Sequence, residues 1–423
     1  MKKLISILAV ALAAALVLCL FGCGEKTTDE TTAPAEAGTT AEAAPVDTGA
    51  DLSELKVGLI CLHDKNSTYD LNFIKAMEET QEALGLTDEQ VIIKTNVPEG
   101  SECYETAVEL VEAGCDIIFA DSFGHEDYML QAAGEYPDVQ FCHATGTKAH
   151  TENVANYHNA FASIYEGRFL AGVAAGLKLN EMIEAGDITA EEAKIGYVGA
   201  YPYAEVKSGY TSFYLGAKYV CPTATMKVIY TNSWYDEAKE KEAANTLINT
   251  DKCVLVSQHA DSLGAPSACE AAGVPNVSYN GSTKAAGPNT YIISSRINWA
   301  PYYEYAINAV AAGAAFDTDY VGTIATGSVE LAELNEDVAA EGTAAKIEEV
   351  KAALEAGTLH VFDTATFTVD GEALASYQAD VDSDAAYTPD TEVISDGYFH
   401  ESEYRSAPYF DLVIDGIEAP VEG

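Results

Sequence analysis

Polar side chains that could bind a small ligand recur directly after apolar runs of the sequence, and an aromatic residue usually accompanies them. Aromatic rings can enclose a flat ring while carboxylates and amides bind its edge, so this composition suits a heterocycle or a sugar. A role in the core or in a domain interface is the alternative for each tryptophan. The candidate ligand-binding residues are Asp64, Asn66, Ser67, Tyr69, Asp70, Ser122, Phe123, Tyr203, Trp234, Gln258, His259, Asp261, Asn280 and Trp299.

Carboxylates that follow apolar runs could instead catalyse a reaction. Asp64, Asp121 and Asp261 each occupy such a position, and converging carboxylates can serve as an acid and a base. Capping of helices and binding of ligand hydroxyls are the simpler roles. The sequence contains no phosphate-binding glycine loop, no HExxH zinc motif and no GxSxG nucleophile motif. We therefore expect a binding protein rather than an enzyme, with no metal and no cofactor.

Parallel strands followed by helices are expected to position these residues. Residues 57–62 are apolar on both faces, as in a buried parallel strand, and a helix follows with Leu71, Ile74 and Met77 on one face. Strands and helices alternate from there to about residue 313. Ligands of such sheets bind at the carboxyl ends of the strands. The sequence predicts an α/β protein with two doubly wound parallel-sheet lobes.

The N-terminal region is typical of a processed and tethered protein. Residues 1–22 have the basic start and apolar run of a signal peptide, and Leu20-Phe21-Gly22-Cys23 is typical of a bacterial lipobox, in which the cysteine is acylated. The rest of 23–52 is rich in Thr, Ala and Glu, which predicts a disordered acidic tether. We expect a lipid anchor on Cys23 that holds the protein at the extracytoplasmic face of the cell membrane.

Charge and cysteine content narrow the classes of partner. The chain has 22 basic and 67 acidic residues and a formal net charge of -45. Such a surface repels phosphate backbones, so we expect no nucleic-acid partner, and neutral or cationic small ligands are favoured. Seven cysteines follow residue 23 without CxxC spacing, so a disulfide framework is not expected. Unpaired thiols in an exported protein suggest an anaerobic habitat.

Several blocks of the sequence resemble one family over residues 55 to about 313. They are HDKNSTYD at 63–70, DSFGHEDYMLQAAGEYPDVQFCHATG at 121–146, YEGRFLAGVAAG at 165–176, NSWYDEAKEKEAANTLI at 232–248, SQHADS at 257–262 and NWAPYYEYAI at 298–307. With the lipobox and the alternating elements, these blocks resemble the basic membrane protein (PnrA-like) family of ABC-transporter substrate-binding lipoproteins.

The resemblance implies a type I periplasmic-binding-protein (Venus flytrap) architecture. Its lobes would close on a purine nucleoside or nucleobase and deliver it to the permease subunits of an ABC importer. The implied N-terminal lobe comprises 53–161 with 290–323, and the implied C-terminal lobe comprises 162–289 with about 324–355. An irregular extension, 356–423, follows.

The resemblance also implies roles for single residues. The polar loop at 63–70 would form one cleft wall, with Tyr69 in place of a stacking Phe. Gln258, His259 and Asp261 would bind the ligand edge from the second lobe, and Trp234 and Trp299 match aromatics near the cleft.

The alternatives concern the ligand. The loop matches neither the nucleoside-binding nor the base-binding pattern, since Asn66-Ser67 stands where the latter has Gly-Trp. A sugar-like ligand, bound or sensed on the same fold, stays open. So does a nucleoside-hydrolysing enzyme, which would require a polarised carboxylate cluster or a metal site.

Overall fold

The computed structural model describes residues 49–381 and 391–420. The predicted signal peptide, Cys23 and almost all of the predicted tether lie outside these residues. Within the described residues, no helix has the length and apolar character that crossing a membrane requires.

The first lobe is built on a parallel sheet with the strand order β11-β5-β4-β3-β1-β2. All four residues of β1 and of β3 are buried, because these central strands are covered by helices on both faces. Its strands are β1 (Val57–Ile60), β2 (Val91–Lys94), β3 (Ile117–Ala120), β4 (Gln140–Ala144), β5 (Tyr157–Ala162) and β11 (Asp319–Gly322). Its helices are α1 (Thr68–Leu84), α2 (Ser101–Glu112), α3 (Glu126–Glu135), α4 (Ala149–Glu152) and α9 (Ala300–Ala311).

The second lobe contains a sheet with the order β12-β10-β9-β8-β6-β7-β17, in which β12 pairs antiparallel with β10 and the other pairs are parallel. Its strands are β6 (Lys194–Gly199), β7 (Thr225–Tyr230), β8 (Leu255–Gln258), β9 (Asn276–Tyr279), β10 (Tyr291–Ile297), β12 (Val329–Leu331) and β17 (Ile417–Glu418). Its helices are α5 (Ile164–Ala185), α6 (Ala204–Val220), α7 (Glu237–Asn249), α8 (Gly264–Ala272) and α10 (Thr343–Glu355).

Glycines let α5 and α6 pack backbone against backbone. A Cβ atom at Gly172 would lie 2.0 Å from the carbonyl oxygen of Phe213, and one at Gly216 would lie 2.0 Å from that of Phe169. The small residues of the 165–176 block therefore pack on α6. This contact holds the start of α5, and with it Arg168, against the second sheet.

The chain passes between the lobes after β5, after β10 and after β11. The resemblance implied that residues 290–323 belong to the N-terminal lobe. In the structure, β10 pairs with β9 in the second sheet, and of this segment only α9 and β11 belong to the first lobe. The boundary therefore lies after residue 297 rather than near 290. An apolar strand has the same pattern in either sheet, so periodicity does not reveal its partner.

The C-terminal extension packs on both lobes. It contains β13 (Gln378–Ala379), β14 (Thr391–Glu392), β15 (Ile394–Ser395) and β16 (Tyr398–Phe399), and β17 continues the second sheet beside β7. The Ser406 backbone N–H donates to Asp319 of β11 at 2.9 Å. Apart from these short strands the extension is irregular. The buried side chains of Phe362, Phe399 and Phe410 form its core.

The described structure confirms the predicted α/β class with two parallel-sheet lobes. All seven cysteines after residue 23 are buried and unpaired.

Candidate functional site

A cavity that opens to solvent lies between the lobes, beyond the carboxyl ends of the strands, and it encloses about 370 Å³ when the solvent-open part is included. Both lobes contribute to its wall, as expected where parallel sheets face one another across a cleft. Residues from the first lobe are Leu62, His63, Tyr69, Asp70, Ser122, Phe123 and Thr145. Residues from the second lobe are Glu205, Trp234, His259 and Asp261.

Asp70 organises the loop between β1 and α1. Ser67 is the N-cap of α1 and accepts from the Asp70 backbone N–H, while its hydroxyl donates to Asp70 Oδ2 at 2.6 Å. Asp70 Oδ1 accepts from the His63 backbone N–H at 2.7 Å. The neighbouring Tyr69 hydroxyl donates to the Asp121 carbonyl at 2.7 Å. These bonds fix the Tyr69 ring in the cavity wall.

A second carboxyl, Asp121, lies fully buried behind this loop. Burial, followed by the charge of Asp70, raises the pKa of Asp121 well above its usual value. Burial also opposes ionisation of Asp70, but hydrogen bonds from His63 and Ser67 bring its pKa below the ordinary value. The charged form is therefore favoured at Asp70 and disfavoured at Asp121.

Asp70, Asp121 and Cys61 place one ligand atom each within 4.8 Å of the others. Burial raises the pKa of the Cys61 thiol well above its ordinary value. A metal bound there would displace the proton of Cys61 and any proton on Asp121. Asp121 does not line the cavity, so the carboxyl pair does not present both members to a ligand.

Asp261 joins the two lobes at the floor of the cavity. Its carbonyl accepts from the Thr68 backbone N–H at 3.1 Å and from the Thr68 hydroxyl at 3.2 Å. Its Oδ1 accepts from the Asn280 amide at 3.1 Å. Burial, followed by the charge of Asp70, raises the pKa of Asp261 well above its usual value. The described lobes are therefore in contact, as in a closed cleft.

Aromatic rings form the opposite wall and the mouth. Tyr201 lies edge-on to Trp234 with ring centroids 5.0 Å apart, and Tyr203 stacks on Tyr201 at 5.1 Å. Phe123 meets Tyr203 from the other lobe at 5.5 Å. Phe123 and Tyr203 are 44% and 43% exposed, so they mark the entrance, whereas Trp234 is half-buried in the wall.

The structure brings seven of the predicted site residues into the cavity wall. They are Tyr69, Asp70, Ser122, Phe123, Trp234, His259 and Asp261. Three more support the wall from behind: Ser67 binds Asp70, Asn280 binds Asp261, and the Gln258 amide donates to the carbonyls of Ala260 and Ser262.

The other four predicted residues neither line the cavity nor support its wall from behind. Asp64 accepts hydrogen bonds from Asn66, and both belong to the outer turn of the loop. Tyr203 is part of the mouth. Trp299 is 3% exposed and stacks on Phe73 at 4.4 Å, because it fills the core where α9 packs on α1. This places Trp299 away from the ligand cavity and corrects its assignment to the cleft.

Four lining residues were not among the sequence candidates: Leu62, His63, Thr145 and Glu205. His63 belongs to the first polar cluster, and Thr145 directly follows β4 with a positive φ of 65°. Glu205 lies in the first turn of α6, where a carboxylate favours the helix dipole. Each of these residues follows the carboxyl end of a strand, and this position in the sequence could have identified it as a candidate.

Comparison with known proteins places the architecture in a family. The family model described as ABC transporter substrate-binding protein PnrA-like matches residues 60–357. The chain belongs to this PnrA-like family. The family assignment that we inferred from the sequence blocks is therefore confirmed.

Relatives of this PnrA-like protein differ in the ligand that their names give. A purine-binding protein of Brucella abortus (strain 2308) is 35% identical over 264 residues, which cover 62% of this chain and 70% of the relative. A putative ABC transporter glucose-binding protein, TsgA13, of Haloferax volcanii is 34% identical over 233 residues, which cover 55% of this chain and 56% of the relative.

Solved structures share the fold of this PnrA-like protein. A solute-binding protein of an ABC transporter system from Aeropyrum pernix K1 aligns with a TM-score of 0.60 and 16% identity, over 73% of this chain and 93% of that structure. One from Conexibacter woesei aligns with a TM-score of 0.57 and 22% identity, over 72% and 98%. These alignments confirm the type I periplasmic-binding fold.

Proposed function

We propose that this ABC transporter solute-binding protein captures a purine base or nucleoside by closure of its lobes and delivers it to the permease of an ABC importer. The observation that carries the proposal is the composition of the inter-lobe cavity. Tyr69 and Trp234 contribute aromatic rings to the lining, and Asp70, Glu205 and His259 contribute polar groups. A flat, nitrogen-rich ring uses both kinds of contact.

The charge of the side chains that line the inter-lobe cavity supports an uncharged ligand. Among the described residues, no Lys or Arg lines the cavity, whereas three carboxyl groups do. An anionic ligand would be repelled, and N–H groups on a neutral ring would find acceptors. The name of the Brucella relative agrees with a purine.

The targeting sequence supports the site of action. A signal peptide at 1–22 and an acylated Cys23 would anchor the protein at the extracytoplasmic face of the membrane, beside the permease subunits. The tether at 23–52 would let the folded lobes reach both the ligand and the permease.

A sugar is the second candidate ligand, since the Haloferax relative is named as a glucose-binding protein and aromatic faces also stack on sugars. A hydrolytic enzyme is less well supported, because Asp121, one member of the carboxyl pair, is fully buried and does not line the cavity.

A ligand panel tests the proposal. The chain without its predicted signal peptide and anchor cysteine, residues 24–423, is screened by thermal shift and calorimetry against adenine, guanine, hypoxanthine, their ribonucleosides, glucose and ribose. We expect one purine to raise the melting temperature, because a ligand at about 100 times its Kd stabilises the folded state by about 2.7 kcal/mol. The ligand should be recovered unchanged.

Each other result contradicts part of the proposal. If glucose or ribose binds and no purine does, the ligand is a sugar rather than a purine. The proposed capture by closure of the lobes would still hold. Recovery of a cleaved nucleoside would establish an enzyme. If none of the compounds raises the melting temperature, the whole ligand assignment is contradicted.

A further inference from the structure

A buried positive charge lies directly behind the cavity wall. Arg168 on α5 is 1% exposed, and its Nη1 donates to the Gln258 carbonyl at 3.0 Å. Its guanidinium carbon lies 3.6 Å from the centroid of the Tyr279 ring, and Nη2 also donates to the Tyr197 hydroxyl. Among the described residues, no carboxylate forms an ion pair with Arg168, although such a charge is costly to bury alone. Its position therefore calls for an explanation other than an ion pair.

The contact of Arg168 with His259 supplies an explanation for the buried position of the guanidinium. Arg168 Nη2 lies 2.8 Å from His259 Nδ1. A guanidinium only donates hydrogen bonds and stays protonated, so His259 Nδ1 must be the acceptor and must lack a hydrogen. The ring hydrogen of His259 is therefore on Nε2. That nitrogen lies 3.3 Å from Oε1 of Glu205, and both residues line the cavity.

The surroundings of His259 also favour its neutral form. Burial lowers the pKa of His259; the Glu205 carboxylate acts against this, and Arg168 adds to it. The charged and titratable groups that face the ring are Arg168 from α5, Glu205 from α6 and Tyr279 from β9. A second proton on Nδ1 would point an N–H at the N–H of Arg168, so protonation requires their separation.

We propose that Arg168 is a positioning residue that fixes His259 as a neutral Nε2–H donor beside the Glu205 acceptor, and thereby makes this edge of the cavity specific. A ligand that fits must carry a hydrogen-bond acceptor next to an N–H donor, as amide-like and amidine-like ring edges do. The ligand part rests on the proposed function, whereas the state of His259 does not.

Gly209 on α6 provides the space for this arrangement. A Cβ atom there would lie 3.1 Å from Arg168 Nη2 and 3.3 Å from His259 Nδ1, closer than packed atoms usually approach. A larger residue at 209 would push the two groups apart. The backbone of α6 therefore carries Glu205 to one side of the imidazole and leaves room for Arg168 at the other.

The first test observes His259 directly. Nitrogen-15 spectra of the histidine rings are recorded for ligand-free residues 24–423, with His259→Gln identifying the signal. We expect the Nε2–H tautomer throughout pH 5.5 to 8. A predominant Nδ1–H tautomer, or a titration with a midpoint near the ordinary value of about 6.5, would overturn the proposal. This result is independent of the purine assignment.

The second test removes the positive charge of Arg168. In Arg168→Met, His259 should populate both tautomers at pH 8 and bind a proton near pH 6, while Arg168→Lys should preserve the Nε2–H form. Affinity for the ligand found in the panel should fall about twofold in Arg168→Met at pH 8, because only about half of the protein then holds the Nε2–H tautomer, and it should recover at pH 5.5 as Nε2 regains its hydrogen.

Controls separate positioning from packing. Arg296→Met removes a guanidinium that pairs with Glu330 outside the cavity, and it should leave the His259 signals unchanged. Glu205→Gln should reduce affinity at least about tenfold, because a charged acceptor is lost. An unchanged tautomer and a flat pH profile in Arg168→Met would refute the positioning role. If Arg168→Met does not fold, the wild-type spectrum decides.

Discussion

Trp234 and Trp299 are the two tryptophans of the chain, and the structure gives them different surroundings. Trp234 is half-buried in the cavity wall, with Tyr201 edge-on to it and His259 6.4 Å away. Trp299 is enclosed between α1 and α9 against Phe73. At the scale of single residues, the proposed stacking of the ligand on Trp234 is therefore the contact that a mutation tests most simply.

Replacing Trp234 by Ala should weaken ligand binding by about 1–3 kcal/mol, the range found when a base loses an aromatic stacking partner. Stability should change little in comparison, because the side chain is only partly buried. Calorimetric titration measures the affinity, and thermal unfolding without ligand measures stability. Tyr219→Ala is the control, since Tyr219 is 48% exposed and lies outside the cavity lining. Equal affinities for the two variants would contradict the stacking role.

The two tryptophans also show what the sequence contains about the site. Each follows a strand, so position alone placed both near the cleft. Residues that follow the central strands β1, β3 and β8 were identified, because the carboxyl end of a parallel sheet constrains where they lie. Trp299 was misplaced because its direction depends on how α9 packs against α1, and Glu205 was missed because a helix-start carboxylate resembles a simple cap.

At the scale of elements, the extension reinforces the edge of the second sheet. Ile417 of β17 pairs with Met226 of β7, and the Met226 N–H donates to the Gly416 carbonyl at 2.9 Å. Gly416 has a φ of 95°, and a Cβ atom there would lie 2.0 Å from the Tyr214 hydroxyl. This close approach ties β17 to α6, and it covers an edge that would otherwise be open to association.

Gly416→Ala should therefore displace β17. Gly397→Ala is a matched control, because Gly397 has a φ of 90° but no atom within 4 Å of the added Cβ. Both variants incur backbone strain, and Gly416→Ala adds a clash of about 1–3 kcal/mol. Denaturant unfolding should show this difference in the free energy of unfolding, with ligand affinity unchanged. Equal destabilisation by the two substitutions would contradict the role of β17.

Pairing between elements was less predictable than the elements themselves. The apolar patterns of β1 and β6 indicated buried strands, since both faces are covered by helices. The sheet to which β10 belongs, and the two-residue strand β17, depend on contacts between distant segments, and no local pattern encodes these contacts.

At the scale of the whole molecule, few polar contacts join the two lobes across the cleft within residues 49–381 and 391–420. Thr68 binds the Asp261 carbonyl, and the Asn72 amide lies 3.5 Å from the Asn280 oxygen, the limit of a hydrogen bond. Phe123 and Tyr203 meet at the mouth and are largely exposed. Three chain crossings connect the lobes, which allows hinge motion. A bound ligand that contacts both walls would therefore supply much of the energy that holds the cleft closed.

The measurement that tests capture by closure most directly is small-angle scattering of residues 49–423 with and without the purine identified in the panel. We expect a smaller radius of gyration with the purine, because the ligand would stabilise the closed arrangement of the lobes. Trp234→Ala should need a higher purine concentration for the same change. An unchanged radius at a purine concentration that saturates binding by calorimetry would contradict capture by lobe closure.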